Sequence, residues 1–137
     1  MQLFFLQFLD WFFFLFHLSF VNFNLFGWIW KKTRLWNLFA LLLTFASWFL
    51  LGLIYGIGFC PFTEWHWQVL FRLGETGLPD SYISYLVIRT TGIILPPELV
   101  DKATVSGAFV AFFISLVLNI RDRIKKKFSI KLNFFRR

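Results

Sequence analysis

From Leu35 to Phe59 the chain runs 25 residues without one acidic or basic side chain. About 20 apolar residues in a helix cross a hydrocarbon core of about 30 Å. Within lipid, such a stretch must also satisfy its own backbone N–H and C=O groups, which a helix does. The run therefore predicts a membrane-spanning helix, and two further stretches are of the same kind. Leu3 to Trp30 is apolar apart from a few polar positions and stops at Lys31-Lys32-Thr33-Arg34. Ala103 to Ile120 is the apolar body of a segment that opens at Pro96-Pro97-Glu98, where proline and an early carboxylate suit a helix N-terminus. Spans at about 3–30, 35–59 and 97–122 nearly exhaust 137 residues. The expected fold is an all-α membrane protein, with one transmembrane domain over 1–127 and a short basic tail over 128–137. The composition agrees: 58% hydrophobic and 15% charged, against roughly 45–50% and 25% in soluble domains.

Charge placement orients these spans. Eleven of the fourteen Lys and Arg fall in the 31–34 turn or after Ile120. The connection from Cys60 to Lys102 has only Arg72, Arg89 and Lys102, set against five acids. The positive-inside rule puts Lys31, Lys32, Arg34, Arg121, Arg123, Lys125, Lys126 and Lys127 in the cytoplasm, touching anionic headgroups. The N-terminus is then outside, in a multi-pass membrane protein. A net charge of +7 packed against apolar segments points to lipid and not to nucleic acid.

Between the second and third spans, Thr63 is placed to cap a short helix over about 64–73 that stops at Gly74. Pro79-Asp80-Ser81 starts another over about 80–90, with Tyr82, Ile83, Tyr85 and Leu86 on one buried side. Their Trp and Tyr rings suit the membrane interface. The tail reads as surface-lying or disordered.

Chemistry has few places to reside. Asp10, His17 and Asn24 recur every seven residues in the first span, so they share one helix face to within about 20° per step. An ionisable group inside a span faces protein or water and is a functional candidate. The run Cys60-Pro61-Phe62-Thr63-Glu64-Trp65-His66 sits at the end of the second span, at the level of Asp10. Asp10, Cys60, Glu64 and His66 are therefore expected to converge, either as a structural turn or as ligands for zinc or iron. Gly52, Gly56 and Gly58 offer the second span a close-approach face, and Gly107 offers one to the third. No phosphate loop, nucleophile elbow or carboxylate pair is present, which points away from an enzyme. The residues name no cofactor.

Asp10 with His17, the Lys31-Lys32-Thr33-Arg34-Leu35-Trp36 turn, Cys60-Pro61-Phe62-Thr63 and the Gly74–Tyr85 region together resemble the bacterial family catalogued as domain of unknown function 2784. The versions around Trp65-His66-Trp67 and Leu78–Tyr82 look like those of a Bacteroidetes-type branch. The resemblance implies a small inner-membrane protein and draws attention to Asp10, His17, Cys60, Pro61 and Thr63. It implies no activity. The expected role is an accessory or structural subunit among other integral membrane chains and lipids. The alternative is an intramembrane site for a metal, quinone or lipid, with redox or proton chemistry around Asp10, His17, Cys60 and His66.

Overall fold

The structure is a computed structural model that describes residues 1–135, with side chains placed through Ser129. Five helices account for the fold. Three are long and apolar enough to cross a membrane: α1 (Gln2–Phe26), α2 (Arg34–Tyr55) and the first 33 residues of α5 (Pro97–Phe135). The chain is thus a small, multi-pass integral membrane protein. Two short helices, α3 (Pro61–Arg72) and α4 (Tyr82–Thr91), stand between the second and third spans.

The turn from α1 to α2 is tied by its own polar groups. Helix ends leave carbonyls without partners, and here Thr33 Oγ1 donates to Gly27 O at 2.7 Å while Arg34 Nε donates to Trp28 O at 2.9 Å. At Gly27 the two helices approach so closely that a Cβ would lie 3.0 Å from Asn37 Nδ2. Asn37, fully buried, donates through Nδ2 to Phe23 O and Asn24 O at 2.7 and 3.1 Å. A span whose amide side chain bonds the backbone of its neighbour is held at a fixed depth against it.

Ala108, Ala111, Ser115 and Asn119 form a buried row of small and polar residues at helical spacing on α5, which packs against α2 through Phe109 and Phe112 on Phe45. Asn119 Nδ2 donates to Arg34 O at 3.0 Å, and Arg34 Nη1 lies 2.8 Å from Asp122 Oδ2. Arg34, expected as a topology charge, thus also fastens the first turn to the third span. α5 then continues unbroken through the lysines to Phe135, where a surface-lying or disordered end was expected. Nothing in Arg121–Lys127 stops a helix. Arg136 and Arg137 lie outside the described residues.

The glycine expectation needs correction. α2 widens into a π-helical turn at Ser47–Leu51 and ends at Tyr55, short of Phe59. Gly56 and Gly58 follow the helix with φ of 108° and 90°, and nothing lies within 4 Å of where their Cβ atoms would be. Their role is to fold the chain back on itself. Gly58 N–H then reaches Trp48 O at 3.3 Å and Ser47 Oγ donates to Phe59 O at 2.8 Å. Gly52 does make a close approach, but to its own returning strand of chain at Ile57, 3.1 Å from the would-be Cβ. Gly107 meets Leu25 of α1 at 3.3 Å, a contact between spans.

Because of this fold-back, α3 starts part-way down α1 and runs antiparallel to it. Phe62 packs on Phe16, His66 stacks on Phe13, and Arg72 shares a groove with Gln2 and Phe5. α4 follows the same course, from Tyr82 beside His17 to Arg89 beside Asp10. The short helices therefore stand lengthwise along the N-terminal half of α1. The buried cluster Phe14, Leu70, Tyr82, Tyr85 and Leu86 cements the three.

Candidate functional site

Asp10 is the one acidic residue of α1, and the two short helices are built around it. Arg89, from the last turn of α4, donates to both carboxylate oxygens, Nη1 to Oδ1 at 2.5 Å and Nη2 to Oδ2 at 2.9 Å. His66, from the middle of α3 and with no exposed surface, reaches Oδ1 through Nε2 at 2.9 Å. Arg89 is further held by Tyr85 Oη and lies over the rings of Phe14 and Trp11, 4.3 and 4.9 Å from their centroids. Such cation–π contacts favour a desolvated guanidinium.

The donors and acceptors can be assigned from one end. An ionised carboxylate only accepts, so His66 Nε2 bears the proton and Nδ1 is left as an acceptor. Tyr82 Oη, 2.5 Å from that Nδ1, must then donate to it. His17 Nδ1 lies 3.0 Å from Phe13 O and 3.3 Å from Tyr82 Oη, so its proton is shared between those oxygens. His17 Nε2 is left to accept from Thr63 Oγ1 at 3.4 Å. Every group from Thr63 to Asp10 donates in one direction. Burial holds the His66 imidazole below the ordinary histidine range, outweighing the opposing pull of Asp10. Burial likewise pushes the Tyr82 hydroxyl up, so it remains a donor.

The sequence candidates divide accordingly. Asp10, His17, Thr63 and His66 come together. Thr63 does not cap α3: Cys60 holds that position and Pro61 opens the helix, which frees the threonine hydroxyl for His17. Cys60 is half-buried with a free thiol. Glu64 points away, exposed, and accepts from Gln68 at 3.4 Å. The convergence of four ligands is therefore reduced to Asp10 and His66, and among the described residues no three His, Cys, Asp or Glu side chains could hold a metal together. Asn24 belongs to the other end of the bundle, donating to Thr44 Oγ1 at 2.9 Å. Apart from Arg34, the basic residues of the turn and of α5 through Lys127 are exposed.

Reading the sequence missed Arg89 and the linking role of Tyr82. Both signals were present. Tyr82, Tyr85 and Arg89 occupy i, i+3 and i+7 of one helix face, and a lone acid inside a span calls for a cation somewhere in the chain.

No curated protein and no solved structure matches the chain. The profile of the family described as protein of unknown function, DUF2784, matches residues 7–120, which takes in all of the polar cluster and both polar ties at the basic end except Asp122. The chain belongs to that DUF2784 family.

Proposed function

We propose that this protein is a non-catalytic accessory subunit of a larger assembly in a bacterial cytoplasmic membrane, with its N-terminus outside and its basic end in the cytoplasm. One observation supports this above others: the ionisable groups inside the helices are spent on one another. Asp10 accepts from three donors and His66 uses both ring nitrogens, so the imidazole keeps no free position for a metal and the carboxylate charge is already countered by Arg89. The cluster works as a clamp that holds α3 and α4 against α1. From its π-turn onward, α2 carries exposed Leu50, Leu53 and Ile54, an apolar face available to a neighbouring span. Purification from native membrane in a mild detergent should bring a second integral membrane chain at fixed stoichiometry. A monomer with no partner would overturn the assignment. Cysteine labelling from either side of the membrane, at sites introduced near Lys32 and Glu75, tests the orientation.

The directional chain from Thr63 to Asp10 favours one second reading, proton transfer within the same cluster. It requires that Tyr82→Phe abolish a proton flux measured in proteoliposomes. No flux in the wild type removes this reading.

A further inference from the structure

Along one flank of α1, between it and α3, runs an open groove of about 620 Å³. That is within the range of about 300–1,000 Å³ of small-ligand sites. Its polarity is graded along its length. Phe5, Leu6, Leu9 and Phe13 supply an apolar wall, with Trp65, Gln68 and Val69 opposite, while Gln2 and Arg72 stand at the end nearest the N-terminus. Counting about 20 residues back from Phe26 sets the far hydrocarbon boundary near Leu6. Gln2 and Arg72 then stand at headgroup depth. Phe13 lies seven residues further in, about 10 Å by helical rise.

Charge singles out the polar end. Three cations lie from Cys60 to Lys102. Arg89 is held by Asp10, and Lys102 lies 3.8 Å from Glu98. Arg72 is exposed and has no carboxylate partner among the described residues. On the other flank of α1 a second groove, also open, is edged by Asp10 and Glu75 and would repel an anion. Of these two grooves, the one between α1 and α3 combines a cation at headgroup depth with an apolar floor beneath it.

We propose that this groove binds one glycerophospholipid, its phosphodiester on Arg72 with the amide of Gln2 as a further donor, and an acyl chain along Leu6, Leu9 and Phe13. Guanidinium recognises phosphate through charge-assisted hydrogen bonds, and the floor takes the chain by burial of apolar surface. Phe13 also stacks on His66, with ring centroids 5.6 Å apart, so the occupied groove backs directly onto the polar clamp.

The full-length protein, delipidated in detergent, would be titrated with palmitoyl-oleoyl phosphatidylglycerol, with the corresponding phosphatidylethanolamine and with the matching diacylglycerol, and read by native mass spectrometry. A first equivalent of either phospholipid should bind about tenfold more tightly than the diacylglycerol, corresponding to one charge-assisted contact. Arg72→Gln should erase that preference and Arg72→Lys should keep most of it. Leu9→Trp, which fills the groove, should abolish the first tight equivalent while the helical circular dichroism and elution volume stay those of the wild type. Inorganic phosphate should not compete. Overturning results are equal binding of diacylglycerol and phospholipid, a graded series of adducts with no step at one, or Arg72→Gln and Leu9→Trp binding as the wild type does.

Discussion

Replacing Asp10 with asparagine preserves the side chain's shape and removes its charge. Arg89 then keeps a guanidinium with no counter-ion, and His66 loses its strongest acceptor. Removing one partner of a buried pair costs about 3–5 kcal/mol, because the other charge is left uncompensated. The Arg89 side chain is 23% exposed and can recover some hydration, which sets the expectation at the lower end, about 3 kcal/mol. That is on the order of a hundredfold in the equilibrium between docked and undocked short helices. The assay is amide hydrogen exchange in detergent micelles, resolved by segment. Exchange in α3 and α4 should rise about a hundredfold, with α2 and the α2-facing part of α5 unchanged, since those rest on Asn119, Ser115 and Asn37. Arg89→Gln added to Asp10→Asn should restore part of the loss, because no charge is then stranded. Additive losses, or an increase spread evenly over all five helices, would refute the clamp.

Three further outcomes are expected. Gly27→Ala puts a methyl group 2.5 Å from Phe23 O and 3.0 Å from Asn37 Nδ2 and should cost about 1–3 kcal/mol in thermal unfolding, whereas Gly56→Ala meets no neighbour and acts only through its φ of 108°. The His66 pKa is depressed in the folded state, so the unfolded chain binds a proton first as pH falls. Stability should thus be complete above about pH 6.5 and decline below it, and His66→Gln should flatten the acid limb of a melting-temperature profile. Ser115→Leu places a large side chain where none is exposed and should separate α5 from α2, read as loss of protection in α5 with the Asp10 cluster intact.

How much of this was legible follows from the kind of signal each residue carries. The spans announce themselves because lipid accepts little but uninterrupted apolar helix, and Leu35 to Tyr55 is that. Asp10 and His17 were visible as a pair because a spacing of seven is a local property of one helix. Their partners were not, since Arg89 lies 79 residues from Asp10 and joins it only through the fold-back at Gly56 and Gly58. That fold-back looked like more helix, because glycines in an apolar run read as a packing face until their positive φ is known. Asn37, Ser115 and Asn119 left hardly a trace in hydropathy, yet they set the depth of α2 and α5.

The separation between Asp10 and Arg89 also bears on how the chain enters its membrane. A ribosome adding about 5–20 residues per second takes about 4–16 s to cover 79 residues. Throughout that interval α1 carries an acid whose cation has not yet been made. An unpaired acid is costly in hydrocarbon, so the N-terminal turns of α1 are expected to take their final depth only after α4 has been synthesised. Synthesis order, which a finished structure conceals, makes the first helix one of the last to settle.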